Sequence, residues 1–254
     1  MLSKAKIKLI QSLEQKKKRR EEQLFVAEGP KVVADLLPYF TCHLLIATDS
    51  WLIAHPHIQA DEIIAVTPDE LRKASFLKTP QEVLALFALP TPTLPDGIGA
   101  TELCLALDDV QDPGNLGTII RIADWFGIKH IICSTGTVDA FSPKTVQASM
   151  GAVARVSIHY TVLPQYLSAQ RASRPEIPIY GTFLEGENIY KKALTSHGII
   201  IMGNEGNGIS PLTEQLVTDK LLIPNYPEGC VTSESLNVAI ATAITCAEFR
   251  RRMA

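Results

Sequence analysis

The side chains of this chain with the most chemical potential lie in Asn115-Leu-Gly-Thr-Ile-Ile-Arg121, Ile201-Met-Gly-Asn-Glu-Gly-Asn-Gly208 and Ser235-Leu-Asn-Val-Ala239. A guanidinium, a carboxylate, a hydroxyl and several carboxamides stand there among glycines. Each segment reads as a strand end, a tight Gly- or Asn-bearing loop and a helix start, which is where open α/β sheets put their ligands. The glycines of 203–208 are spaced G-x-x-G-x-G, so they match neither the G-x-G-x-x-G dinucleotide fingerprint nor a phosphate loop ending in G-K-[ST]. Such glycines either open backbone N–H and C=O groups to a ligand or serve the geometry of a turn.

Two readings stand beside each polar residue. Asn115 and Arg121 are six residues apart, about 120° from a shared face if both are helical, so Asn115 reads as a helix cap or loop residue. Arg121 reads as a surface ion pair with an acid of the preceding loop, or as a free cation for a ligand. Ser235 and Asn237 straddle Leu236 ahead of an apolar helix, as caps or as the polar rim of a pocket. Other chemistries are missing from the sequence. It holds no H-E-x-x-H and no G-x-S-x-G, and its histidines are dispersed, so triad chemistry and a metal site are not expected.

The 254 residues are 46% hydrophobic and 20% charged, the composition of a globular protein with real cores. Apolar runs fall short of the roughly 18 residues a membrane helix needs. The N-terminus has lysines but neither an apolar core nor a cleavage site, so a cytoplasmic address is expected. Five scattered cysteines without a C-x-x-C pair suggest buried reduced thiols. Net charge is −3, yet the first 20 residues carry eight Lys or Arg against Glu14 alone. Such a basic arm on an acidic body suits a phosphate-bearing partner, or else is a solvated helix face. Leu2, Ala5, Leu9 and Leu13 recur near helical spacing, so one amphipathic helix running into Lys16-Lys-Lys-Arg-Arg20 is predicted.

The elements that position these residues follow from apolar runs and breakers. Residues 24–27, 43–47, 62–66 and 81–88 read as strands, with helices over 30–37 and 68–75, forming a small α/β unit over 1–90. Three prolines and a glycine within 89–97 mark the change, and 91–101 is assigned as the linker, either a hinge or a plain surface connection. From 102 to 254, strands at 102–107, 130–133, 178–183, 198–202 and 221–223 alternate with helices at 117–126, 142–151 and 235–251. That alternation predicts a mostly parallel sheet covered on both faces.

The ordered set Asn115-x-Gly117-Thr118-x-x-Arg121, Gly203-Asn-Glu-Gly206 after an apolar strand, and Ile223-Pro224 followed by Ser235-Leu-Asn-Val-Ala239 resembles the signature motifs of the SpoU (TrmH-type) branch of the SPOUT RNA methyltransferases. Gln147-Ala-Ser-Met-Gly-Ala152 is similar to a further segment of that family. Phe25-Val-Ala-Glu-Gly29 resembles the small substrate-binding domain that many ribosomal-RNA members place ahead of the catalytic one. In one respect the chain departs from the family. Members usually run I-P-M-x-G-x-x-x-S-L-N, whereas here Pro224 is followed by a stretch four residues longer and without the Met, which puts the pocket wall near Ile223 in doubt.

The resemblance implies an α/β catalytic domain whose C-terminal segment threads into a trefoil knot, one of the rare exceptions to unknotted chains. It implies S-adenosylmethionine held by Met202, Gly203, Asn204, Gly206, Ile223 and Leu236, and a catalytic set of Arg121, Asn115, Glu205, Ser235 and Asn237. It also implies a homodimer and, as product, a ribose 2′-O-methyl group on RNA, with ribosomal RNA favoured over transfer RNA. Neither DNA nor a membrane is an expected partner. A guanidinium is too weak an acid to serve readily as a base. Arg121 is therefore expected to hold an RNA phosphate and stabilise developing alkoxide, while the other four orient it, the cofactor carboxylate or the ribose. Two rivals remain. A non-catalytic RNA-binding member would be supported by the altered third motif, and a nicotinamide-binding protein by the alternating elements alone.

Overall fold

Apolar strands of four to ten residues, each bounded by a turn former or a capped helix, build two sheets in the computed structural model, which describes residues 2–227, 230, 231, 233 and 235–252. Contacts gather into two units: residues up to Thr91 together with Asp139–Arg155, and Pro92–Val138 together with residues from Val156 on.

In the first unit, β1 (Leu24–Glu28), β2 (Cys42–Ala47), β3 (Glu62–Ala65) and β4 (Val83–Ala88) form a mixed sheet in the order β1-β4-β2-β3. The apolar run of β4 fits its central place, flanked by antiparallel β1 and β2. Because side chains alternate along a strand, the sheet has two apolar faces. Val26, Leu44, Ile46, Leu84 and Leu86 pack with Ile10 and Leu13 of the N-terminal arm and with Leu71 and Ala74. On the other side Phe25 lies 5.7 Å from Phe87, 5.3 Å from Phe40 and 5.0 Å from Phe141, measured between ring centres. The helices are α1 (Lys4–Ser12), α2 (Lys16–Glu22), α3 (Pro30–Leu36), α4 (Asp49–Ala54) and α5 (Pro68–Ala74), the last opened by a Thr67/Glu70 capping box.

The predicted single arm helix is two. Residues 13–15 break it, and Ile10 rather than Ala5 faces the core. The basic run is not wholly a solvated face either. Arg19 is 2% exposed, and its Nη1 donates to the carbonyls of Leu13 and Glu14 at 2.6 and 2.7 Å, closing the break. Its Nε and Nη2 donate to Asp139 Oδ2 at 3.1 and 2.5 Å, so the start of the 139–155 segment is fastened to the arm.

The second unit is a six-stranded sheet, β5 (Leu103–Leu107), β6 (His130–Ser134), β7 (Ser157–Thr161), β8 (Ile179–Asn188), β9 (Gly198–Met202) and β10 (Asp219–Leu222), in the order β10-β8-β9-β5-β6-β7. Every pairing is parallel, as predicted. The helices after β5 are α6 (Pro113–Trp125), α7 (Pro143–Ser149), which belongs to the first unit, α8 (Leu163–Ser173), α9 (Pro211–Glu214) and α10 (Val238–Arg251). Ile132, Ile179, Ile199 and Ile201 pack under Leu163 and Leu167 of α8, while α6 packs on α10, whose Arg250 Nε caps the carbonyl of Phe126 at 2.7 Å. Residues 157–161 and 163–173 were not predicted as elements, because Ser-Ile-His-Tyr-Thr is not an apolar run and α8 has only a weak apolar stripe. Four cysteines are buried thiols as expected, but Cys230 is exposed. None of the described helices is long and apolar enough to cross a membrane.

Removing Asp139 leaves the buried Arg19 guanidinium without its counter-charge. Asp139→Ala should therefore lower unfolding free energy by about 3 kcal/mol in urea titration, and Arg19→Met combined with it should recover part of that loss.

Candidate active site

Strand order decides where a ligand can sit. From β5 the chain moves outward through β6 to β7, whereas from β9 it moves to β10 at the opposite edge, so the loops leaving β5 and β9 diverge from two neighbouring strands. That divergence is the switch point at which open parallel sheets bind ligands. The β5 loop is 108–112 and the β9 loop is 203–209.

The two loops are stitched together. Asp108 N–H donates to the carbonyl of Met202 at 2.9 Å, and the buried Asp108 carboxylate accepts from Ser210 N–H and Oγ at 2.9 and 2.7 Å. Asn204 Nδ2 donates to the carbonyl of Asp109 at 2.7 Å. Its Oδ1 accepts the N–H groups of Gly206 and Asn207, both at 2.9 Å, which curls the loop, and Asn204 and Gly208 exchange backbone hydrogen bonds. A Cβ on Gly203 would lie 2.3 Å from the Gly208 carbonyl carbon, so the closed loop requires glycine there.

Across this seam runs a chain of three side chains. Asn237 Nδ2 donates to Asn115 Oδ1 at 3.0 Å, and Asn115 Nδ2 donates to Glu205 Oε1 at 2.9 Å. The amide orientations are forced. Asn237 Oδ1 caps α10 by accepting from Ala239 and Ile240 N–H at 2.9 and 3.3 Å, so its NH₂ must face Asn115. Asn115 then turns its oxygen to Asn237 and its nitrogen to Glu205. Glu205 also receives the N–H groups of Gln111 and Asp112, each at 3.4 Å. Burial pushes its carboxyl up, but the hydrogen bonds from Asn115 and from backbone amides together outweigh burial and hold it below the usual carboxylate range. Glu205 is thus an ionised, well-anchored acceptor.

The structure brings together Asn115, Glu205 and Asn237 of the five residues expected to be catalytic. Asn115 is not the helix cap that the sequence reading favoured. Helix α6 begins at Pro113, four residues earlier than predicted, and Asp112 caps it by accepting Asn115 N–H at 2.8 Å. Asn115 is inside the first turn, its side chain free for Glu205. Likewise α10 begins at Val238 with Asn237 as its cap, which leaves Ser235 exposed outside the helix. Arg121 is exposed on α6 and, among the described residues, has no ion pair or side-chain hydrogen bond. The acids of the preceding loop have other partners: Asp108 holds Ser210, Asp109 accepts from Gln111, and Asp112 caps α6.

Of the residues expected to hold a cofactor, Met202 is buried at the end of β9, and Gly203 and Asn204 shape the loop. Gly206 has open space on its Cβ side apart from Asn204 Oδ1 at 3.6 Å, Ile223 is half-buried just past β10, and Leu236 is 49% exposed. Accessible backbone at Gly206, with apolar Ile223 and Leu236 partly exposed, offers the kinds of group that a nucleoside-bearing ligand with a flat apolar face and polar edges would meet. Part of the lengthened 224–234 stretch lies outside the described residues. Asp108, Asp112 and Ser210 were missed by sequence reasoning, although Asp112-Pro113 is a readable helix-start signal.

Comparison with known proteins agrees in both halves. Residues 102–247 match the model of the SpoU rRNA Methylase family, and residues 4–85 match that of an MRM3-like substrate binding domain. The 23S rRNA (guanosine(2553)-2'-O)-methyltransferase RlmP of Bacillus subtilis (strain 168) is 31% identical over 242 residues, covering 94% of this chain and 93% of that one. A solved structure from Porphyromonas gingivalis, assigned to the TrmH family of RNA methyltransferases, is 44% identical, with a TM-score of 0.89 over 99% of each chain. The AdoMet-bound rRNA methyltransferase from Sinorhizobium meliloti is 31% identical, with a TM-score of 0.86 over 100% of this chain and 97% of that one.

The two functions of Asn237 can be separated. Asn237→Asp keeps the cap but replaces the NH₂ facing Asn115 with an acceptor, so Asn115 flips and Glu205 loses its donor, and the unfolding free energy at neutral pH should fall by about 1.5–3 kcal/mol, the worth of one hydrogen bond to a charged group. Carboxyl-carbon NMR titration should show the Glu205 midpoint rising in that variant.

Proposed function

The chain belongs to the SpoU rRNA methylase family, and we propose from that membership that it methylates a ribose 2′-hydroxyl of ribosomal RNA. It is an RNA 2′-O-ribose methyltransferase with S-adenosylmethionine as its cofactor. The observation that carries the assignment to this site is the Asn237–Asn115–Glu205 chain at the sheet's switch point, one residue from each of the three signature segments. Ribosomal rather than transfer RNA is favoured by the relative that acts on 23S rRNA and by the substrate-binding module matched over 4–85.

When bound, the cofactor supplies a methyl group on a sulfonium, which makes the reaction an in-line displacement with little demand for covalent help from the protein. Gly206, Ile223 and Leu236 would hold it, with Met202, Gly203 and Asn204 shaping the loop that binds it. The work left to the chain is alignment and charge. Arg121, an exposed cation with no described partner, holds an RNA phosphate and stabilises charge developing on the ribose oxygen. Glu205 and Asn115 orient the ribose or the cofactor's polar end, Asn237 fixes Asn115, and Ser235, exposed ahead of Asn237 in the same segment, helps orient the same groups. In the first unit, Lys4, Lys8 and Arg20 of the arm are exposed and give RNA an electrostatic footing.

The same reading proposes a homodimer. Trp125 of α6 is 85% exposed and Ile240 of α10 is 53% exposed, large apolar groups on two mutually packed helices that a second copy would cover. It also proposes the trefoil threading of the chain before α10, a path that passes through residues outside the described set, and a cytoplasmic location.

Incubated with unmodified ribosomal RNA and labelled S-adenosylmethionine, the protein should protect one ribose linkage from alkaline cleavage. Labelling of transfer RNA alone would move the substrate. Arg121→Ala should cut turnover by roughly 10²- to 10³-fold while cofactor affinity by calorimetry stays nearly intact. Loss of cofactor binding would refute that division of labour. Replacing Lys4, Lys8 and Arg20 together by Gln should reduce the slope of log K against log salt for RNA binding by about 2 to 3, measured between 50 and 200 mM salt.

A further inference from the structure

Asp109 sits in the left-handed region at φ +65°, one of three described residues other than glycine that do so. For a residue with a side chain this conformation carries a cost on the order of 1 kcal/mol, least for Asn and Asp, and it persists only where neighbours enforce it. Here they enforce it from two sides. Asp109 N–H donates to Ser134 Oγ at 2.9 Å at the end of β6, and its carbonyl accepts Asn204 Nδ2 at 2.7 Å in the loop after β9. The residues next to it are held in the same two directions. Asp108 N–H goes to the Met202 carbonyl and Val138 N–H comes to the Val110 carbonyl, both at 2.9 Å.

The side chain lies flat over Gly136, where an added Cβ would stand 2.0 Å from Asp109 Oδ1. Its carboxylate accepts only Gln111 Nε2, at 3.2 Å, among the described residues, so the charge is not wired into the Asn237–Asn115–Glu205 chain. The backbone just beyond Asp109 is wired in. Gln111 and Asp112 aim their N–H groups at Glu205, and Asp112 caps the helix that carries Asn115 and, further along, Arg121. A chain that ran on through 109 in an extended or right-handed conformation would send those amides and the start of α6 elsewhere.

We propose that Asp109 is a positioning residue for methyl transfer, and that its contribution is the left-handed turn that aims the 111–112 amides and α6 at Glu205, not its negative charge. The proposal rests on the methyltransferase reading for its consequence in turnover, and on the geometry alone for its effect on Glu205. Other candidates in the molecule are weaker. The groove at the carboxyl ends of β2 and β3 is an acidic cluster around short helix starts. The cavity beside Lys16, Lys17 and Arg20 shares Arg20 with the RNA footing already described.

The test is a substitution series read in two ways. Asp109→Asn and Asp109→Gly keep the turn, so kcat should stay within about threefold of the parent protein. Asp109→Val, whose β-branch opposes positive φ, should lose about 100-fold in kcat with the KM for S-adenosylmethionine little changed. The Glu205 midpoint, followed by carboxyl-carbon NMR, should rise toward the ordinary carboxylate value in the Val variant and stay put in the other two. Should Asp109→Val fail to fold, Asp109→Ala, whose Cβ also opposes positive φ but without a branch, should move both readouts in the same direction by a smaller amount. If Asn falls as far as Val, charge is the contribution and the proposal is overturned. If Val, or Ala in its place, leaves both readouts unmoved, the turn is irrelevant and it is overturned as well. Should the parent protein methylate no RNA, the functional reading fails, and the Glu205 titration still decides whether the turn sets the site.

Discussion

Six strands running in one direction deliver all their carboxyl-end loops to one edge of a sheet, and the Asn237–Asn115–Glu205 chain depends on that parallel pairing. Glu205, Asn115 and Asn237 are separated by 90 and 122 residues in sequence yet within hydrogen-bond reach in space. Neighbouring parallel strands with diverging exits bring Asn115 and Glu205 together, and Asn237 joins them as the cap of α10. The chemistry suits such an edge. The backbone amides there are not consumed by the sheet ladder, and helix starts supply further N–H donors, so an anionic carboxylate such as Glu205 is stabilised where it stands.

The polar contacts at this edge form a hierarchy. Asp108 and Asn204 fasten one loop to the other, Asn237 closes the start of the last helix, and only then is Asn115 left with a single orientation. A hydrogen bond at both the oxygen and the nitrogen of each amide gives the site rigidity, since a flipped carboxamide would set two acceptors or two donors face to face. Arg121 stands apart from this network and exposed, the placement that the role proposed for it requires.

Much of this was legible in the sequence, and for physical reasons. Strands such as 103–107 and 198–202 are unbroken apolar runs because both faces of a parallel sheet are covered, and Gly and Asn at their ends announced the loops. The three site segments could be picked out by residue type. Their connections could not, because a hydrogen bond across 90 or 122 residues leaves no local pattern. The start of α6 was misplaced because Pro113-Gly114 reads as a breaker, whereas proline in a first helical turn loses nothing. Arg19 was hidden for a similar reason. A buried cation in a run of basic residues looks like its exposed neighbours until its partner, 120 residues on, is known.

That pairing of Arg19 with Asp139 bears on the order in which the protein can be made. The aromatic group of the first sheet includes Phe141, and its compact unit runs on to Arg155, so emergence of Thr91 from the ribosome leaves one side of Phe25 uncovered. At synthesis rates of about 5–20 residues per second, the nascent first sheet must wait on the order of several seconds for its missing piece. Through that interval β5, α6 and β6 are already being made, so the amino-terminal module matures inside the synthesis of the catalytic one rather than before it.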